Sequence, residues 1–130
     1  MRKYTFRYGD GTVEIPLDEK NVLGELHGNR VPAIEDIPAA LDGALNAPVD
    51  APALKDWLRP GDLVCLIVSD MSRFWMRQDR VIPPLVDYMN RAGIPDAQIT
   101  ILVANGTHIG GDEAELRTLV TDSIYDRIRV

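Results

Sequence analysis

Leu63-Val64-Cys65-Leu66-Ile67-Val68 is the stretch on which the fold turns. An apolar run of strand length with no polar alternation is expected where a strand is covered on both faces, as in the middle of an α/β sheet. Arg59-Pro60-Gly61-Asp62 supplies the turn into it, since Pro and Gly set the backbone angles that a tight turn requires. Cys65, the single cysteine, is expected to be a small buried hydrophobe within this strand and has no partner for an internal disulfide.

Downstream, Ile82, Leu85, Val86 and Met89 form a helical stripe that Gly93 and Pro95 terminate, and a second apolar strand follows over Ile99 to Ala104. Strand, helix, strand is a βαβ unit, so the two strands should be parallel, with their exits on one edge of the sheet. Asp112 with Glu115 resembles a capping box for a further helix that buries Leu116, Leu119 and Val120. Ile128-Arg129-Val130 has the character of a strand just beginning.

Upstream, Ile37, Leu41 and Leu45 recur at helical spacing. Asp36 is placed to cap that helix, Pro38 falls in its first turn and Pro48 lies beyond its end near Asn46. A shorter helical turn is expected around Ala53 to Leu58. Tyr4, Phe6 and Tyr8 alternate with polar residues, as do Val13, Ile15 and Leu17, and Gly9-Asp10-Gly11 between them marks a β-hairpin. Asn21 to Pro32 loses periodicity and reads as an extended crossing segment with His27 in solvent. The fold class is therefore α/β, a Rossmann-like parallel sheet with flanking helices, preceded by an N-terminal β-hairpin. Its organisation is hairpin over 1–17, linker and helices over 18–60, and βαβ unit over 61–130.

Composition removes several functions. With 130 residues, 45% of them hydrophobic, the chain can bury one core. A formal net charge of -6 and no cluster of Lys and Arg argue against a nucleic-acid surface. The longest apolar run is far below membrane-spanning length, and the first residues alternate where a secretory signal would run apolar, so a soluble cytoplasmic protein is expected. Neither a G-x-x-x-x-G-K-[ST] loop nor G-x-G-x-x-G nor G-x-S-x-G is present, which disfavours nucleotide binding and serine hydrolysis.

In an open parallel sheet, ligands bind beyond the carboxyl ends of the strands. The first strand exits into Ser69-Asp70-Met71-Ser72-Arg73 and the second into Asn105-Gly106-Thr107-His108. Asp70 either orients the imidazole of His108, the side chain best suited to proton transfer near neutral pH, or only caps a helix. Arg73 either clamps a carboxylate through two parallel hydrogen bonds or pairs with a surface acid. Gly106 would let a ligand approach the backbone closely.

Asp70-Met71-Ser72-Arg73 and Gly106-Thr107-His108, each after an apolar strand and separated by one helix, resemble the Asp-x-Thr/Ser-Arg and Gly-Thr/Phe-His motifs of the lactate racemase family. The likeness extends to Asn21-Val22-Leu23-Gly24, Arg59 to Asp62, Ala92 to Asp96 and Tyr125 to Arg129, and so spans nearly the whole chain. That resemblance implies a racemase or epimerase of 2-hydroxyacids, in which a tethered nickel-pincer nucleotide accepts and returns a hydride at the substrate α-carbon. Two histidines act there as acid and base. By the same resemblance His108 is the first of them, Arg73 holds the substrate carboxylate, and Asp70 is the acid beside them. Asp70, Ser72, Arg73, Gly106 and Thr107 face the cofactor.

The chain departs from the motifs at Phe74, where the family often has Pro, and at Ile109, where it often has Arg. Both changes point to a substrate other than lactate. The resemblance places the second histidine, the cofactor-linking lysine and the nickel-binding histidine beyond Val130. No metal ligands are expected here, the chain should be the amino-terminal portion of the enzyme and inactive alone, and its partners are the carboxy-terminal remainder and a small hydroxyacid. The strand edge at Ile128 to Val130 also invites a second copy of the chain. The competing reading is a non-catalytic α/β domain that binds a small anion through Arg73 and the helix start near Asp112.

Overall fold

A computed structural model describes residues 1–130, which divide into two compact units, Met1–Ala33 and Ile34–Val130. In the first unit, β1 (Arg2–Tyr8) and β2 (Gly11–Leu17) pair antiparallel, with Tyr4 opposite Ile15 and Phe6 opposite Val13. Tyr8 pairs with Gly11, so Gly9-Asp10 is the two-residue loop, and Gly9 takes the left-handed φ of 56° that such a loop needs. His27 is exposed, with Glu25 3.4 Å away.

The second unit begins with α1 (Ile37–Asn46), whose cap is the expected one: Ala39 N–H donates to the Asp36 carboxylate at 2.9 Å. A short α2 (Leu54–Trp57) follows. In the Arg59–Asp62 turn, Asp62 N–H donates to the Arg59 carbonyl and the Asp62 carboxylate accepts the Arg59 N–H at 2.8 Å. The turn delivers the chain into β3 (Val64–Ser69). β3 lies parallel to β4 (Ile99–Ala104) in continuous register from Val64 opposite Ile99 to Ser69 opposite Ala104, and α3 (Ile82–Arg91) lies between them in the chain. Thus the sheet and its connecting helix are those expected from the apolar runs.

α4 (Glu113–Val120) and α5 (Asp122–Tyr125) complete the unit. The chain then returns to the sheet: Arg129 bridges Thr100 in parallel sense, and Ile101 N–H donates to the Arg129 carbonyl at 2.8 Å. β4 is therefore flanked by β3 and by the incipient strand at Arg129. Arg127 fastens this return by donating to Asp96, Asn90 and Asp87, which ties the tail to the end of α3 and the turn after it.

One core forms on one face of the sheet, from Val68, Ile99 and Ile101 of the strands, Val86 and Met89 of α3, Leu119 and Val120 of α4, and Ile124 of α5. This corrects the expectation that β3 is covered on both faces. Side chains alternate along a strand, so Val64, Leu66 and Val68 turn to the helices while Cys65 and Ile67 turn away, with Ile67 66% exposed. Cys65 is accordingly an exposed free thiol, not a buried hydrophobe. On β4, Leu102 joins this bare face. Leu63 lies outside the strand and is exposed, because the turn at Asp62 holds the chain out of the sheet until Val64. No helix is long and apolar enough to cross a membrane.

Candidate active site

β3 and β4 are immediate neighbours, about 4.8 Å apart, so the residues leaving their carboxyl ends are within side-chain reach. After β3 the chain enters a 3₁₀ turn over Met71–Met76, which Asp70 precedes with extended backbone. The Asp70 carboxylate does not cap that turn. Instead, one oxygen accepts from the Ser72 hydroxyl at 2.7 Å and the other meets Nδ1 of His108 at 2.6 Å. The alternative that Asp70 merely caps a helix is thereby set aside.

Each partner is held by its own loop. Behind Asp70, the Gln78 side chain clamps the end of β3, donating to the Ser69 carbonyl at 2.6 Å and accepting the Ser69 N–H at 3.2 Å. Behind His108, its own N–H donates to the Asn105 carbonyl at 2.9 Å, closing a turn in which Gly106 adopts a φ of 59°. A Cβ at Gly106 would meet nothing within 4 Å, so glycine is needed for the backbone angle and not for want of space within the chain.

The pair borders a cleft of about 240 Å³. Asp70, Ser72, Asn105 and His108 supply its polar wall, Met71, Val103, Leu116 and Leu119 its apolar floor, and Gly111, Glu115 and Ile109 close it. Of the residues singled out in the sequence, Asp70, Ser72 and His108 come together. Arg73, Gly106 and Thr107 are exposed on the same loops but do not line the cleft. The Arg73 guanidinium has no partner, and the exposed Trp75 beside it contrasts with Phe74, which packs against the core. Gln78 carries no signal in the sequence. Asn105 stands in the second strand exit with no role marked for it, and Glu115 reads there only as a capping residue.

The Ser72 hydroxyl, and after it the His108 imidazole, hold the Asp70 carboxyl below its ordinary pKa, against a smaller opposing effect of burial. Because the folded value is depressed, the stabilisation that this carboxylate contributes is complete above the unfolded value of about 3.9 and is lost as pH falls through the lower folded value. An NMR titration of the Asp70 carboxyl carbon is expected to show a midpoint below 3.9, and Ser72→Ala should move it upward. A midpoint at or above the ordinary value would count against this arrangement.

Comparisons with known proteins give the family and the fold. Residues 8–130 match the lactate racemase N-terminal domain. The chain belongs to that family. Among solved structures it resembles the lactate racemase apoprotein from Thermoanaerobacterium thermosaccharolyticum with a TM-score of 0.77 at 19% sequence identity, a likeness of fold. The match covers 98% of this chain and 29% of that one, so the chain spans less than a third of the racemase's length. No curated protein matches it in sequence.

Proposed function

We propose that this lactate racemase N-terminal domain carries one proton-transferring histidine of a 2-hydroxyacid racemase or epimerase. The single observation that carries the reading is the 2.6 Å contact between Asp70 and Nδ1 of His108 at the paired strand ends. With Asp70 accepting from Nδ1–H, the tautomer is set so that Nε2 is free to take the proton of the substrate's 2-hydroxyl and later to return it. Asp70 stabilises the imidazolium in the interval. The substrate carboxylate pairs with Arg73, whose guanidinium is uncommitted and sits on the loop that carries Asp70.

The cofactor implied by the family resemblance, a nickel-pincer nucleotide, supplies a hydride acceptor at the substrate α-carbon. No three His, Cys, Asp or Glu side chains converge to hold a metal ion in this domain, so nickel ligation does not fit these residues and no step is drawn through it. Ser72, Arg73, Gly106 and Thr107 are the rim groups nearest to hand for the organic part of such a cofactor. The second histidine, the metal ligands and the cofactor tether are assigned to the remainder of a cytoplasmic enzyme. The competing anion-binding reading has less support, because α4 begins among Asp112, Glu113 and Glu115, whose carboxylates repel an anion at the helix start.

The test is to load the enzyme containing this domain with cofactor and offer single enantiomers of 2-hydroxyacids in deuterated water. Racemisation without deuterium at the α-carbon is expected, because a transferred hydride does not exchange with solvent. No racemisation of any 2-hydroxyacid would refute the reading, and α-deuteration would refute the hydride route. The domain alone is expected to take up no stoichiometric nickel by equilibrium dialysis.

A further inference from the structure

We infer that the cleft beside Asp70 and His108 receives the side group of the hydroxyacid, and that Glu115 makes it select against substrates with a second carboxylate. The inference rests on the racemase reading and adds a substrate class to it. Its starting point is a helix cap that is only half made. Glu115 N–H donates to the Asp112 carboxylate at 2.9 Å, but the reciprocal bond of a capping box, from Asp112 N–H to the Glu115 carboxylate, is absent. The Glu115 carboxylate has no hydrogen-bond or ion-pair partner and is turned to the cleft.

Gly111 makes this placement possible. Glu115 Oε2 lies 2.8 Å from the position that a Cβ at residue 111 would take, so any side chain there would drive the carboxylate away. Two carboxylates, of Asp70 and Glu115, thus face one cleft whose walls include no Lys or Arg. Beneath them the floor of Met71, Val103, Leu116 and Leu119 is apolar, and Ile109 at the mouth is 96% exposed.

Arg73 lies outside the cleft on the loop that carries Asp70 and Ser72, so a substrate held there by its C1 carboxylate with its 2-hydroxyl at His108 has the cleft open to its side group. An apolar side group finds the floor, in a space of about 240 Å³, whereas an apolar cavity of roughly 150 Å³ already accommodates benzene. A second carboxylate would meet like charge with no cation to offset it. Substrates of the phenyllactate type are therefore favoured over those of the malate type.

The test is an amide NMR titration of the chain with L-phenyllactate and L-malate, repeated with Glu115→Gln. Phenyllactate is expected to shift Met71, Val103 and Leu116 along with His108, and malate to bind roughly tenfold more weakly or worse. Glu115→Gln should bring the two Kd values within about threefold, since a neutral amide removes the repulsion. Glu115 is exposed, and the amide spectrum itself reports whether the variant is folded. Equal affinities in the parent chain, an unchanged ratio in the variant, or shifts at His108 without shifts in the cleft would overturn the cleft assignment alone. Failure of both acids to shift the cleft residues would overturn this inference, while the racemase reading stands or falls by the deuterium experiment on the cofactor-loaded enzyme.

Discussion

On the proposed reading, replacement of His108 by Gln is expected to lower the racemisation kcat of the enzyme containing this domain by roughly 10²- to 10⁴-fold, the range that one general acid-base group typically contributes. Gln preserves size and some hydrogen bonding to Asp70 but cannot take up and return a proton at the substrate hydroxyl. Asp70→Asn should cost less and show a distinctive pattern. On the proposed reading Asp70 acts through the imidazole and not on the substrate, so kcat should fall while KM stays nearly constant, as for an interaction expressed only in the transition state. Racemisation followed by chiral chromatography on the cofactor-loaded enzyme decides both. If His108→Gln retains more than about a tenth of the parent kcat, His108 is not the proton-transfer group.

Ile124→Ala is expected to destabilise the chain by about 2–5 kcal/mol, because Ile124 is fully buried among α3, α4 and the sheet and its loss leaves a cavity. Ile67→Ala removes the same carbon atoms from the bare face of β3 and should cost under about 1 kcal/mol. Urea unfolding should therefore show a large drop in midpoint for the first variant, a small one for the second, and little change of slope in either. Similar losses in both would mean that the second face of the sheet is covered in solution.

The contrast between Ile124 and Ile67 also shows where local pattern stops being informative. The helix α3 and the caps at Asp36 and Asp112 depend on residues within a few positions of one another, and the parallel pairing of β3 and β4 follows from the order strand, helix, strand. Apolar runs, turn residues and short polar caps act through backbone sterics and local hydrogen bonds, and these are written in the order of residues. The meeting of Asp70 with His108 was legible for the same reason, since a βαβ unit brings successive strand exits to one edge.

Other features were settled by packing. Apolar Cys65 and Ile67 carry no mark distinguishing them from Val64 and Val68, and which face of β3 is bare depends on where α3, α4 and α5 lie. The break between α4 and α5 falls at Thr121, a non-glycine residue at a φ of 78°, held there by the burial of Val120 and Ile124 on either side. Gln78 acquires its role as clamp on Ser69 from a second turn that follows Arg77, another non-glycine residue with positive φ. Glu115 satisfies a capping pattern in sequence, yet its carboxylate leaves the cap for the cleft because Gly111 opens the space beside it. In each case the residue types and their spacing allow more than one outcome, and the packing of the closed core decides between them.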